Sequence, residues 1–161
     1  MYKRVLVALG ANTYRESMTQ ALTIAENHDV QLRLVHVIEV MVSGAEGFNL
    51  ERVYSARERE GKAIIERAVA QAREANAMPE YGLIDGTGRR VSSVLREEVT
   101  RWRADLIVVG GRVRRNMLLR LLSDDVCDAI ISNALVPILL ATPRGKGEKP
   151  AKKGTAQDRV V

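Results

Sequence analysis

The chain has little cysteine, histidine and aromatic content. Among its 161 residues are one cysteine, Cys127, and two histidines. A single cysteine excludes an internal disulfide and a zinc site built from several cysteines, and it is typical of a reducing compartment. Aromatic residues amount to 4% of the chain, so aliphatic side chains must fill the core. We therefore expect a cytoplasmic protein with a core of valine, isoleucine, leucine and alanine.

Long apolar runs and the usual catalytic motifs are absent as well. Near the N-terminus, Lys3 and Arg4 precede an apolar run of only about six residues, which is too short for a signal peptide or a bilayer span. The sequence has no P-loop lysine motif, no G-x-G-x-x-G motif, no Ser-His-Asp arrangement and no metal-ligand spacing. We expect no membrane association, no metal and no enzymatic activity.

Positive charge is concentrated toward the C-terminal end. The chain carries a net charge of +5, and residues 143–161 account for +4 of it. Because apolar residues almost stop after Pro143, we expect one domain over residues 1–142 and a basic, disordered tail over residues 143–161. Such a tail attracts polyanions weakly and in a salt-dependent way.

Apolar periodicity predicts five strands that alternate with four helices. The strands cover residues 4–9, 31–38, 80–85, 105–110 and 136–141, and the helices cover residues 15–27, 50–76 and 118–133, with one more that begins at Val91. This alternation is typical of a single α/β domain, an open five-stranded parallel sheet with helices on both faces. Asp105, at the start of the fourth strand, is expected to pair with Arg101 or Arg103. The sequence leaves the position of the loop at residues 41–48 open.

The carboxyl ends of the predicted strands are the expected ligand site, because open parallel sheets bind ligands beyond those ends. The residues there are Gly10, Ala11 and Asn12 after the first strand, Val37 near the end of the second, Gly86 after the third and Gly110 after the fourth.

Two segments and the order of the elements resemble the universal stress protein family. The segments are D-L-I-V-V-G-G at residues 105–111 and N-A-L-V-P-I-L-L at residues 133–140, and the likeness extends over residues 3–142. The resemblance implies a Rossmann-like fold, a role in the stress response and dimerisation through the final strand.

Nucleotide-binding members of that family carry an acid directly after the first strand and a G-x-x-G-x9-G-[ST] pattern after the fourth. In this chain the position of the acid is Gly10. Gly110 opens the second pattern, but Val113 replaces its second glycine, and Ser123 and Asp124 replace its final pair. Val113 disfavours a left-handed backbone, and the Asp124 carboxylate repels phosphate. The resemblance therefore implies a degenerate nucleotide site that binds ATP poorly.

Arginines near the same strand ends offer a different anion site. Arg112 and Arg115 follow the fourth strand, and Arg89 and Arg90 follow the third. Guanidinium groups bind phosphate through two parallel hydrogen bonds, so this cluster could hold an anionic small molecule. The alternative is that these arginines lie on a solvated loop and form ordinary ion pairs with Asp124, Asp125 or Glu97.

The last predicted strand is apolar and is expected at an edge of the sheet, because Pro137 near its start cannot donate to a neighbouring strand. An exposed apolar edge is a hazard in a monomer and an interface in a dimer. We predict a two-fold homodimer through Val136, Ile138, Leu139 and Leu140.

These observations predict a dimeric, non-enzymatic stress-response protein that acts by binding a protein partner, which the sequence does not identify. One alternative is a regulatory switch in which ATP or another adenine nucleotide binds at Gly10, Val37 and Gly110. A second alternative is a polyanion-binding protein that works through the tail.

Overall fold

The computed structural model describes residues 1–26, 29–42, 44, 47–111 and 135–143. Its elements are β1 (Arg4–Ala8), α1 (Tyr14–Ala25), β2 (Gln31–Ile38), α2 (Leu50–Glu74), β3 (Glu80–Asp85), α3 (Val91–Trp102), β4 (Leu106–Gly110) and β5 (Ile138–Ala141). Strands β2 and β3 have the predicted bounds, and the ends of the other strands, α1 and α2 differ from the prediction by at most two residues. The helix predicted at residues 118–133 lies outside the described residues.

The five strands form one parallel sheet in the order β3-β2-β1-β4-β5. β1 lies at its centre, where Val7 pairs with Leu34 of β2 and with Val108 of β4. All three side chains are fully buried. A continuous apolar run is what a strand covered on both faces requires, and the predicted fold class is confirmed.

Helices cover both faces of this sheet. On one face α1 and α2 pack against alternate strand residues, and Met18 of α1 and Ala68 of α2 are fully buried there. On the other face α3 packs Val94 and Leu95 against the intervening strand residues. Within the described part of the chain, Trp102 is the one aromatic side chain in the buried core, so the core there is aliphatic as expected.

Asp105 ties the start of the chain to the sheet. Its carboxylate accepts hydrogen bonds from the backbone N–H groups of Lys3, at 2.7 Å, and Arg4, at 3.0 Å. The prediction that Asp105 pairs with Arg101 or Arg103 was wrong, because Arg101 instead donates to Glu98. The two backbone N–H groups lie beside Asp105 at the start of β1, and one carboxylate has two oxygens with which to accept from both.

Helix α2 extends beyond the sheet. Asn49 caps its start by accepting a hydrogen bond from the Arg52 N–H at 2.9 Å. All of its buried residues lie between Gly61 and Ala72, a stretch of about 18 Å that matches the length of a strand. Residues 50–60, which we call the α2 extension, have no buried side chain and project past the carboxyl ends of the strands. Neither α2 nor any other described helix is long and apolar enough to cross a membrane.

Strand β5 is the outermost strand on one side of the sheet and pairs with β4. It begins at Ile138, two residues later than predicted. Val136 is half-buried ahead of the strand, and the Pro137 carbonyl accepts a hydrogen bond from the Ile107 N–H at 3.1 Å. Since proline has no N–H to donate, regular hydrogen bonding between β5 and β4 starts only after Pro137.

Candidate functional site

The carboxyl ends of the strands form one edge of the sheet, which we call the rim. It comprises residues 10–13 after β1, 39–40 after β2, 85–88 at and after β3, and 110–111 at and after β4. Four residues predicted for the ligand site, Gly10, Ala11, Asn12 and Gly86, lie on this rim, together with Gly110 at the end of β4. The sheet therefore brings together the described part of the predicted site, and whether these residues bind a ligand stays a prediction.

Thr13 occupies the crevice between the ends of β1 and β4. A Cβ atom on Gly110 would lie 2.4 Å from the Thr13 carbonyl oxygen, and one on Gly10 would lie 2.5 Å from its hydroxyl oxygen. The Gly10 carbonyl also accepts the N–H groups of Thr13, at 3.2 Å, and Tyr14, at 3.0 Å. Gly110 is thus required by the close approach of the backbone before α1, quite apart from any ligand, whereas the close contact of Gly10 is with a side-chain hydroxyl.

Ser17 connects α1 to β1. Its side chain is fully buried, and its hydroxyl donates to the Ala8 carbonyl oxygen at 3.1 Å. Thr13 precedes the helix without making a side-chain capping bond. Neither Thr13 nor Ser17 was among the predicted site residues, although a threonine directly before a helical apolar pattern is itself a signal for a helix start.

The turn after β3 packs closely against the end of β2. A Cβ atom on Gly86 would lie 2.6 Å from Val37 Cγ1, so only glycine permits this approach. The Gly86 N–H donates to the Ile38 carbonyl at 3.0 Å and the Gly88 N–H to the Val40 carbonyl at 2.9 Å. Val37 is therefore buried beneath the rim and contributes little open surface to it.

Asp85 is the carboxylate at the end of β3. Its Oδ1 accepts the Thr87 N–H at 2.9 Å, and hydrogen bonding from Thr87, with the nearby charge of Arg89, holds the pKa of Asp85 below its usual value. On the α2 extension, burial and the negative charge of Asp85 raise the pKa of the Tyr54 phenol. The rim thus carries a fixed carboxylate at the end of β3, and neither Asp85 nor Tyr54 was among the predicted site residues.

The predicted arginine cluster is only partly described. Arg89 forms an ion pair with Glu97, which is the ordinary pairing that the sequence left open as the alternative. Arg90 is exposed at the start of α3. Arg112, Val113, Arg115, Ser123 and Asp124 lie outside the described residues, so their part in an anion site stays a prediction.

The contacts of His36 indicate a structural role. A carbonyl oxygen only accepts hydrogen bonds, so the Nδ1–H of His36 donates to the Leu9 carbonyl, at 2.7 Å. The ring packs against Gly61 of α2, where an added Cβ would lie 2.6 Å from His36 Cδ2. No group of three or more histidine, cysteine or acidic residues is placed to hold a metal ion in the parts of the chain that the structure describes.

The model of the universal stress protein family matches residues 1–142 of this sequence. The chain belongs to that family. The match confirms the resemblance drawn from residues 105–111 and 133–140, and it covers β1 through β5.

Known members of the family are similar to this chain along almost their whole length. Universal stress protein A homolog 2 of Coxiella burnetii is 23% identical over 146 residues, which are 89% of this chain and 97% of that protein. A crystal structure of a family member from Burkholderia pseudomallei has a TM-score of 0.70 at 23% identity and covers 86% of this chain and 95% of its own.

A third similar structure, from Arabidopsis thaliana, is a family protein with AMP bound. It has a TM-score of 0.65 at 21% identity and covers 93% of this chain and 97% of its own. At this level of identity the likeness shows the fold of the present chain.

Proposed function

We propose that this universal stress protein family member is a non-enzymatic regulatory module that works as a homodimer through β5. The observation that carries the proposal is the outer edge of β5. Leu140 is 40% exposed there, and Ile138 and Leu139 are only partly buried. Unpaired backbone groups beside exposed apolar side chains favour pairing with a second copy of the same strand.

The opposite edge of the sheet supports the choice of β5. β3 forms that edge and is six residues long, yet its two ends carry the exposed acids Glu80 and Asp85. In a two-fold antiparallel pairing of β3 with its copy, Glu80 would lie opposite Asp85 of the other chain. Like charges directly opposite each other are unfavourable, so β3 is protected from self-association and β5 is the edge left for it.

A negative charge introduced at one exposed position on each of the two edge strands tests the dimer. Leu140→Glu places a carboxylate on the proposed interface, and Tyr81→Glu places one at an exposed position of β3. Light scattering after size exclusion should give a dimer for the wild type and Tyr81→Glu and a monomer for Leu140→Glu. A monomeric wild type, or a Leu140→Glu protein that stays dimeric, would contradict the proposal.

A second proposal concerns the rim, which we infer binds an adenine monophosphate in preference to ATP. The support is the similarity to a family protein with AMP bound, together with a rim that gathers Gly10, Gly86 and Gly110 along one edge of the sheet. The sequence places Val113 and Asp124 where a phosphate site would be. Repulsion by a carboxylate grows with phosphate charge, so it weakens the binding of the triphosphate more than that of the monophosphate.

Calorimetric titration of the full chain with AMP, ATP and inorganic phosphate tests this second proposal. AMP should bind and ATP should bind at least about tenfold more weakly, which corresponds to one repulsive contact on the order of 1.4 kcal/mol. The outcome that would sink the idea is an absence of AMP binding, or equal affinity for AMP and ATP.

A further inference from the structure

Strand β3 forms one edge of the sheet and leaves half of its backbone groups facing outward. It pairs with β2 alone. The Gly86 N–H donates to the Ile38 carbonyl at 3.0 Å, so Gly86 and every second residue before it direct their backbone groups toward β2. The N–H and C=O groups of Tyr81 and Leu83 therefore point away from the sheet, and they have no backbone partner among the described residues.

The side chains along this outer edge are accessible. Tyr81 is 53% exposed, and Leu83 and Ile84 are only half-buried, in contrast to the buried residues of β1 and β4. An extended peptide can add itself to such an edge, because main-chain hydrogen bonds supply affinity and alternate side chains supply specificity. The outer edge of β3 therefore has the features of a peptide-binding edge.

Carboxylates stand at both ends of the edge. The Glu80 side chain is 58% exposed, and its Oε2 accepts the Trp102 indole N–H at 3.1 Å. Asp85 is exposed, and its Oδ1 accepts the Thr87 N–H at 2.9 Å. A carboxylate has room for about four hydrogen bonds, so each of these oriented groups can still accept from a partner.

The cations nearby are already paired. Arg33 lies 3.4 Å from Glu80, but it is only 12% exposed and also binds the buried Glu98. Arg89, the cation near the other end, forms an ion pair with Glu97. Each end of the edge therefore presents negative charge to an incoming strand, and opposite charges on directly paired residues stabilise cross-strand pairing.

We propose that the outer edge of β3 binds an extended segment of a partner protein, six residues long, with a lysine or arginine at each end and apolar residues between them. In an antiparallel alignment the two cations lie opposite Glu80 and Asp85, and the apolar side chains lie beside Tyr81 and Leu83. A second copy of β3 fits poorly, because its own acids would lie opposite these acids. The proposal requires neither a dimer through β5 nor a nucleotide on the rim.

Hydrogen exchange in the full chain tests the proposal, with the capped peptide K-T-V-T-V-K as the probe. At a peptide concentration of about ten times its Kd, exchange of the Tyr81 and Leu83 amides should slow about tenfold. The Gly82 and Ile84 amides, which face β2, should already exchange slowly and should change much less. Nuclear magnetic resonance resolves the four amides and gives the Kd in the same titration.

A second peptide, E-T-V-T-V-E, is the matched control for charge. It has the same length and the same central residues, but it places a carboxylate opposite each acid of the edge. Since each end changes from an attractive to a repulsive pair, it should bind at least about tenfold more weakly.

Two variants at one position test the backbone pairing. Tyr81→Pro removes an outward N–H without removing a hydrogen bond to β2, and proline is tolerated on edge strands. Tyr81→Val also lacks the aromatic ring but keeps the N–H. Tyr81→Pro should bind K-T-V-T-V-K about three- to tenfold more weakly than Tyr81→Val, as expected for one hydrogen bond. Should Tyr81→Pro fail to fold, the wild-type amides and the two peptides still decide.

The contrary results concern the place and the chemistry of binding. Unchanged exchange at Tyr81 and Leu83, equal affinities for the two peptides, or equal affinities of the two variants would each overturn the proposal. Slower exchange at Leu140 with none at Tyr81 would place the peptide on β5 and overturn it as well. Protection of Tyr81 and Leu83 in the protein without peptide would show that a second copy covers this edge, with the same consequence.

Discussion

Arg33 of β2 donates its Nε–H to the carboxylate of Glu98 on α3 at 2.5 Å, and the two side chains are only 12% and 5% exposed. Arg101 donates to the same carboxylate from the solvent side, with its Nε 2.9 Å from Oε2. Glu80 of β3 accepts from Arg33 at 3.4 Å and from the Trp102 indole at 3.1 Å. One buried carboxylate thus connects α3 to β2 at the edge of the sheet opposite the rim.

Replacement of Glu98 by alanine should be strongly destabilising. It leaves the buried Arg33 guanidinium without its main partner, and breaking a buried pair in this way costs about 3 kcal/mol. The control is Glu97→Ala, which removes the exposed partner of Arg89 and should cost less than about 1 kcal/mol. Urea denaturation measures both, and equal losses would show that Glu98 acts as a surface residue.

The same carboxylate should make stability depend on pH in acid. Burial raises the pKa of Glu98, but hydrogen bonds from Arg101 and Arg33 outweigh it and hold the pKa below the value of 4.5 for a free glutamate. The unfolded chain therefore binds the proton first as the pH falls. The stabilisation is present above the unfolded pKa and is lost as the pH drops through the folded one.

Glu98→Gln has no proton to bind, so its unfolding free energy should fall less steeply than that of the wild type between about pH 6 and pH 3. Denaturant titrations at several pH values measure the two slopes. Parallel curves would mean that other carboxylates, Asp85 among them, account for the whole acid dependence.

The two adjacent glycines at the end of β4 should respond differently to alanine. Gly110→Ala brings a methyl group 2.4 Å from the Thr13 carbonyl, which belongs to the backbone, whereas Gly111→Ala meets the tip of the Leu140 side chain at 2.6 Å. We expect Gly110→Ala to cost about 1–3 kcal/mol, the usual range for overpacking, and Gly111→Ala to cost clearly less. Thermal unfolding of the two variants would contradict this if Gly111→Ala were the less stable.

Gly61 and His36 should be energetically coupled. Alanine favours a helix over glycine by about 1 kcal/mol, yet Gly61→Ala would place its methyl 2.6 Å from His36 Cδ2, on a ring held by the Leu9 carbonyl. The Leu83 Cδ1 atom would lie equally close to that methyl, at 2.6 Å. We therefore expect Gly61→Ala to destabilise the wild type and to destabilise a His36→Ala protein clearly less. A double-mutant cycle measures the coupling, and additive effects would show that the ring moves aside freely.

Most of the fold could be predicted because its signals are local. Strands β2 and β3 are short segments with recurring apolar residues between polar or turn residues, and their predicted bounds were confirmed. The positions of Gly10, Gly86 and Gly110 at strand ends followed from the same pattern. The parallel order of the sheet then placed these residues on one rim without further information.

The missed residues depend on contacts between distant segments. Thr13 matters because the Gly110 backbone meets it. Asp105 was assigned to neighbouring arginines, whereas its partners are backbone N–H groups at the other end of the chain. No pattern within a single segment carries such information.

The hydrogen bond between Arg4 and Asp105 joins residues that are 101 positions apart in the chain. It stands at the start of the pairing between β1 and β4, the central pair of the sheet. The middle of this protein is therefore among the last parts that can form during synthesis, since β1 waits with one edge open until β4 has been made. Closing so long a loop is slow, and until it closes a strand that is apolar from Val5 to Ala8 is available to the wrong partner.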